Sequence, residues 1–312
     1  LALVSSPAFD PNSFVLGLSD SAWKDLNADP GKPLISRFSQ TYPPGSAFKP
    51  VTAAIGLKSN KLNPDEKVAI SGLNWQPDSS WGIYTVTRVT DPGGPVNLLD
   101  AFIYSDNIYF AKSALRIGRD TFLTEAKNFG IGEDIPFEYP LKNSQLTANA
   151  SFKSDVQLAD TGYGQAEVML NPLQLAMIFT GVVNNGDILR PVVDRKNLGE
   201  KPQVWKEKAF SPDIAGILLK DLSQVVQNPN GTGFKPTVAL PMAGKTGTAE
   251  LKKSRDDASA EENGWFVAFN TDNPRLLIGM MIEDVKNKGG SHYVVPRVKQ
   301  AMVDYLFRIA KD

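Results

Sequence analysis

Cysteine is absent from the 312 residues. This excludes disulfides, thiol catalysis and thiolate-bound zinc, and suits an oxidising space outside the cytoplasm without requiring one. Histidine is nearly absent too, with His292 alone. No metal site can be built on several imidazoles, and a Ser-His-Asp triad would depend on that one residue. A lone histidine is usually a surface or satisfied core residue, so hydrolytic or acyl-transfer chemistry must find another base. Long apolar runs are also missing. The best, Leu276 to Ile282, has the length of a strand and falls far short of the ~20 residues of a membrane-spanning helix. There is no excess of one charge: 33 basic and 34 acidic side chains leave −1, which offers no field for nucleic acid or an anionic membrane. Neither a signal peptide nor an initiator methionine is present, and the chain opens in a strand-like run, Leu1 to Ser5. A piece of a longer protein is therefore expected, with any targeting or anchoring segment upstream.

What is there describes a globular chain. A 42% hydrophobic and 21% charged composition fits a soluble fold without long disorder. The length allows one large domain or two ordinary ones, with a sizeable core. Twenty-five glycines and 22 prolines punctuate the chain with turns; there is no internal repeat. Residues 1–45 are loop-rich. Pro43-Pro44-Gly45 stops what precedes it, and a helix is predicted from near Ser46, with Pro50 tolerated in its first turn. Turns and short strands, including Tyr84 to Val89, occupy 71–95. Residues 97–130 predict helix, break, helix, with Ser105-Asp106-Asn107 at the break. A helix from Pro172 to Val183 has Asn171 as its N-cap. Ile214, Ile217, Leu218, Leu222 and Val225 recur at helical spacing over 211–227. Three strands follow, Ala239–Leu251, Trp265–Asn270 and Arg275–Glu283. The charged stretch Lys252–Asn263 joins the first two, and a helix from Pro296 to Ala310 closes the chain. Helices in the middle and hairpin-linked strands at the ends predict an α+β sandwich with an antiparallel sheet.

Three short motifs carry chemistry: Ser46-x-x-Lys49, Ser105-Asp106-Asn107 and Lys245-Thr246-Gly247. Ser-x-x-Lys also occurs at Ser21/Lys24, in a polar segment that reads as an exposed helical turn. The second copy opens an apolar helix, where burial opposes a lysine's charge. Residues i and i+3 share a helix face, so the Ser46 hydroxyl and Lys49 amine can meet. Serine is a poor nucleophile until a base takes its proton, and a desolvated lysine beside another cation can be that base. The helix N-terminus also aims backbone N–H groups at a forming oxyanion. Ser105 could relay a proton and Asn107 could bind a substrate amide; alone, the same three residues make an ordinary turn. On the predicted strand Lys245 and Gly247 share one face, Thr246 and Thr248 the other, and a strand glycine often marks close approach of another group. Gly244-Lys245-Thr246 is not the end of a phosphate-binding loop: Ala239 stands where that motif needs glycine, and a strand follows instead of a helix.

Together and in this order, the motifs resemble the acyl-serine family of penicillin-binding proteins and serine β-lactamases. The likeness covers essentially the whole chain. Leu1 to Pro7, Tyr42 to Pro50, Tyr104 to Ala111, Gly162 to Glu167 with Pro172-Leu173-Gln174, Ala243 to Leu251 and Gly264-Trp265-Phe266 each look like a segment of a class B transpeptidase domain. Trp81 to Asp91 and Gly130 to Tyr139 resemble the Gram-positive low-affinity branch. The resemblance implies one transpeptidase domain over 1–312. Its antiparallel sheet would have about five strands flanked by helices, with an all-helical subdomain over roughly 60–235 inserted between sheet segments. It implies D,D-transpeptidation. Ser46 would attack the D-Ala-D-Ala amide of a peptidoglycan stem peptide, and the acyl-enzyme would pass to an amine of a neighbouring strand. β-Lactams would act as covalent inhibitors. The backbone N–H groups of Ser46 and Thr248 would form the oxyanion hole. Lys49 and Lys245 would supply base and charge, Ser105 would relay a proton and Asn107 would bind substrate. Thr246 or Thr248 would hold the terminal carboxylate beside Gly247, and Asp106 would be structural. No metal or organic cofactor is implied. Cell-wall synthesis proteins are possible partners; nucleic acid is not. The place would be the extracytoplasmic face of the membrane, with the anchor in an N-terminal segment absent from this chain.

Rival readings exist. A serine β-lactamase shares the acylation, and Glu167-Val168-Met169-Leu170-Asn171 matches its Glu-x-x-Leu-Asn string. We read that string as coincidence, with Asn171 capping a helix and Glu167 making a local contact. A β-lactam sensor without turnover, or a cell-wall scaffold with a dead site, would be non-catalytic. The acidic cluster Asp256, Asp257, Glu261 and Glu262 reads as a mixed-charge loop with Lys252, Lys253 and Arg255. Trp75, Trp81 and Tyr84 could line a cleft or pack in the core.

Overall fold

In the computed structural model, residues 2–197, 201–236, 240–251 and 260–309 are described. The helices start where the sequence supplies caps. Ser19 opens α1 (Asp20–Ala28), Asn97 opens α3 (Leu98–Ile103) through a capping box with Asp100, and Asp106 opens α4 (Asn107–Ile117). Ser154 opens α6 (Asp155–Thr161), Asn171 opens α7 (Pro172–Val183) and Ser211 opens α8 (Pro212–Gln227). In each case a side-chain oxygen accepts a first-turn N–H that has no partner within the helix, worth about 1 kcal/mol. Helix α2 (Lys49–Lys58) needs no such cap, because a 3-10 turn over Gly45–Phe48 leads into it. Helix α5 (Arg119–Ala126) follows Gly118 directly, and α9 (Val295–Ile309) ends the described chain.

The main sheet is antiparallel, in the order β5 (Met242–Glu250), β6 (Glu262–Asn270), β7 (Leu277–Ile282). Its alternate faces bury against different partners. Trp265, Val267 and Phe269 join the large core built on α2, α4, α7 and α8. Phe266 and Ala268 face a second cluster with Val294, Val298 and Met302, at and beside the inner face of α9. With both faces covered, the central strand reads as a continuous apolar run rather than an alternation. Helix α2 is buried along Lys49–Gly56, as expected of a helix that is apolar on all sides. It lies inside the large core, so Lys49 sits in an apolar surround.

Two expectations change. The main sheet has three strands among the described residues, not about five. Two small ribbons lie apart from it: β1 (Asn74–Trp75) with β2 (Val86–Thr87), and β3 (Ile188–Leu189) with β4 (Val204–Lys206). The opening run is not a strand over residues 2–5. A strand needs a neighbour's backbone groups, and here Ser5 is tied to a loop by its side chain, to Ile35 O and Arg37 N at 3.0 Å each. Much else falls where the sequence put it, including the break at Ser105 and the cap at Asn171. Of the charged stretch, residues 252–259 lie outside the described residues, and so do Leu1, Ala239 and Ala310.

Candidate active site

The turn around Ser46 is held by backbone on two sides. Gly45 adopts φ +52°, the left-handed region that glycine enters without a side-chain clash. Its N–H donates to Gly164 O at 3.0 Å, and Trp265 Nε1 donates to Pro43 O at 3.0 Å. Upstream, Tyr42 and Leu170 exchange backbone bonds of 2.9 and 2.8 Å. There is no room for side chains between these layers. A Cβ on Gly164 would lie 2.0 Å from Gly45 O, and one on Gly45 would lie 2.3 Å from Thr248 O. A Cβ on Gly247 would lie 2.5 Å from Pro44 O and 2.9 Å from Ala47 N. The strand glycine of the third motif thus marks close approach to the serine's own turn. Through it, β5 and the head of α2 meet backbone to backbone.

The second motif arrives on the sharp turn between α3 and α4. Ser105 has φ +52°, an uncommon conformation for a non-glycine residue that costs of order 1–3 kcal/mol. Asp106 makes the turn hold. One carboxylate oxygen accepts from Ile108 N (2.8 Å) and Tyr109 N (3.0 Å), and the other accepts from Arg88 Nη1 (2.6 Å). Asp106 is structural, as expected. Arg88, buried to 4% exposure, escaped the sequence reading. Its one signal was a charged residue inside the strand-like run Tyr84 to Val89.

Lys49, Ser105, Asn107 and Lys245 meet. Lys49 Nζ is surrounded by Ser105 O (2.7 Å), Ser105 Oγ (3.0 Å) and Asn107 Oδ1 (2.8 Å). Lys245 Nζ donates to the same Ser105 Oγ at 2.9 Å and to Thr246 O at 3.0 Å. One hydroxyl therefore bridges two lysine nitrogens, and both lysines are fully buried. Burial pushes the Lys49 amine well below its usual value, and the charge of Lys245 adds to this while Asp106 opposes it. Burial alone brings Lys245 to about 7. Lys49 hydrogen-bonds the second motif rather than the Ser46 hydroxyl; the tie within the first motif is backbone, from Lys49 N to Ser46 O. Asn107 is fixed from its other end, Nδ2 donating to Thr87 O at 2.8 Å.

Ser46, Ser105, Asn107 and Thr248 are partly exposed, whereas Lys49, Asp106, Lys245 and Thr246 are buried. Thr246 shares a 2.6 Å hydrogen bond with Thr232, another residue the sequence did not single out. Thr248 Oγ1 accepts from Ser291 N at 3.3 Å. Such a site can deprotonate a hydroxyl with a neutral amine and move a proton along Lys49, Ser105 and Lys245.

Residues elsewhere fall out of the chemistry. Ser21 and Lys24 are exposed on α1, and His292 is exposed. Glu167 is committed to Lys153 (2.6 Å) and Ala148 N (2.7 Å), which hold its carboxyl below the usual range. Asn171 caps α7 through Leu173 N at 2.9 Å. Trp75, Trp81 and Tyr84 pack in a row, with ring centroids 5.8 and 6.0 Å apart, against the large core. Among the described residues no group of three His, Asp or Glu is placed to hold a metal ion.

A serine heading a buried helix and two buried lysines on one shared hydroxyl define the lysine-assisted acyl-serine class. Residues 1–303 match the penicillin-binding protein transpeptidase domain, and the chain belongs to that family, in its class B branch. It is 48% identical over 301 residues to Penicillin-binding protein 3 of Bacillus subtilis, covering 96% of this chain and 45% of that protein. With the peptidoglycan D,D-transpeptidase PbpA of Mycolicibacterium smegmatis it shares 30% identity over 298 residues, 91% of this chain and 59% of that one. The chain thus spans about half the length of these relatives. Among solved structures, Pseudomonas aeruginosa PBP2 in complex with WCK 5153 superposes with a TM-score of 0.83 at 26% identity, covering 97% of this chain and 70% of that one. The penicillin G acyl-enzyme complex of Mycobacterium tuberculosis penicillin-binding protein A gives 0.78 at 25% identity, covering 98% and 71%.

Proposed function

We propose that this chain is a serine D,D-transpeptidase domain that cross-links peptidoglycan stem peptides through an acyl-Ser46 intermediate and is acylated at Ser46 by β-lactams. The observation that carries the reading is the pair of buried lysines converging on Ser105 Oγ, one of them on the helix that the partly exposed Ser46 leads into. Neutral Lys49 takes the Ser46 proton as Oγ attacks the carbonyl of the penultimate D-alanine. The Ser46 and Thr248 N–H groups receive the oxyanion. As the tetrahedral intermediate collapses, the proton passes through Ser105 to the leaving nitrogen, and D-alanine departs. An amine of a second stem peptide then attacks the ester, restoring the serine. Asn107 aligns the substrate amide. Thr248, more open than Thr246, takes the terminal carboxylate in the field of Lys245. We read 1–312 as one transpeptidase domain, whose part over roughly 60–235 is not all-helical as expected but mostly helical, carrying the ribbons β1–β2 and β3–β4. Its substrate places its work on the extracytoplasmic face of the membrane, tethered by a segment upstream of this chain.

The β-lactamase reading loses support at Glu167, whose oxygens are bound to Lys153 and Ala148 N. A test is intact mass after incubation with benzylpenicillin, alongside Ser46→Ala. One persistent penicilloyl adduct, absent in the variant, is expected. An adduct that disappears as penicillin is consumed would favour a β-lactamase. No adduct on folded protein after long exposure would overturn the acyl-serine reading.

A further inference from the structure

Arg88 lies outside the three motifs, yet it is buried beside the second. It belongs to the segment that follows β2. Its Nη1 donates to Asp106 Oδ2 at 2.6 Å, its Nε donates to Gly72 O at 2.9 Å, and its Nη2 pairs with Asp91 Oδ1 at 2.8 Å. Its backbone N–H donates to Leu73 O at 2.9 Å, and the residue before it, Thr87, supplies the carbonyl that holds Asn107. A single short segment therefore grips both Asp106 and Asn107, the two residues that follow Ser105 in the turn presenting it to the lysines.

The charges in this layer are few. Lys49 faces Lys245 from β5 and Asp106 from the α3–α4 turn. Asp106 also acts on Lys112 of α4, while Asp91 is the second anion on Arg88. The Asp106 carboxylate accepts two backbone N–H groups as well. An uncompensated Asp106 would favour the protonated form of Lys49, the form that cannot accept the serine proton.

We propose that Arg88 is a positioning residue of the acylation site, holding the Ser105–Asn107 turn against Lys49 and offsetting part of the field of Asp106 there. This rests on the transpeptidase reading, with Lys49 as base. The proposal separates two roles that static packing alone would merge. A merely structural arginine lowers acylation equally at every pH. An arginine that offsets Asp106 also moves the pH at which acylation switches on. That acid limb belongs to the Lys49–Lys245 pair, since the two amines titrate together.

The test is the rate of Ser46 acylation by benzylpenicillin, read by intact mass from pH 5 to 9. In Arg88→Met the acid limb moves up by about one pH unit, so the rate deficit shrinks as pH rises. Asp106→Asn moves it down by a similar amount, and the double variant returns it towards the starting position. Arg88→Lys keeps the charge and holds the limb in place, while losing rate through its poorer fit. Near-UV circular dichroism identifies any variant that has lost its packing, and if Arg88→Met does so, Asp106→Asn carries the test alone. Limbs that coincide in the parent protein and the folded variants would overturn the proposal. Failure of the parent protein to acylate at Ser46 would instead overturn the reading on which it rests.

Discussion

Gly247→Ala adds one methyl group, and the structure says where it goes. The new Cβ would lie 2.5 Å from Pro44 O, 2.9 Å from Ala47 N and 3.1 Å from Ala47 Cβ. The two nearest of these atoms belong to the backbone of the turn that carries Ser46, so no side chain can rotate away. Ordinary contact begins near 3.4 Å, which requires β5 and the turn to part by roughly 1 Å. Inserting a methyl into packed structure costs typically 1–3 kcal/mol. The larger effect is geometric, because Ser46 and the N–H groups of β5 must address the same carbonyl. A displacement of about 1 Å costs of order 100-fold in rate. Gly279→Ala is the matched control: it is on β7 of the same sheet, exposed, with its nearest non-neighbouring atom the Ala176 methyl at 3.3 Å. Benzylpenicillin acylation followed by intact mass should fall about 100-fold in Gly247→Ala and stay within about twofold in Gly279→Ala. Melting temperatures would separate lost rate from lost fold. If Gly247→Ala acylates within about threefold of the parent, the backbone contact does not set the geometry of the site.

Three further predictions concern groups outside the reaction. Asp221, 3% exposed on α8, is pushed from its ordinary 3.8 to about 7 by burial. A raised carboxyl destabilises the fold once it ionises, so stability falls as pH rises from about 4 to 7. Asp221→Asn should therefore stabilise by about 1–4 kcal/mol at pH 8 and by almost nothing at pH 4, as calorimetry at the two pH values would show; an equal effect at both would refute the assignment. The Glu-x-x-Leu-Asn string divides into two structural roles. Asn171 caps α7 and donates to Phe38 O and Gln40 O at 2.9 and 3.1 Å while fully buried, so Asn171→Ala should cost about 2–4 kcal/mol in urea unfolding. Glu167→Gln should leave the lifetime of the penicilloyl adduct within about twofold, since a deacylating base would be worth ~100-fold or more.

The parts that could be read from the sequence were those written in local pattern. Asn171 stands where a cap is required, and the helix it opens begins on the next residue. The order of Ser46, Ser105 and Lys245 suggested a shared site because each residue type has a chemical reason to meet the others. Their contact is a product of tertiary structure. Ser46-x-x-Lys49 spacing suggests that hydroxyl and amine touch, yet the amine is drawn to Ser105 and Asn107, residues 56 and 58 positions away. Spacing on a helix gives which groups share a face, and it is silent on acceptors brought by other elements. Arg88 is illegible for the same reason. In a run of β-branched and aromatic residues it looks like an outward-facing charge on an alternating strand, and strands of two residues, β1 and β2, are too short to fix which face is inside. What turns Arg88 inward is Asp106, 18 residues downstream, a carboxylate whose structural role in its own turn was already explanation enough. A residue with one evident role conceals its second, and here the second role links the reading of the motif to the pH at which the site works.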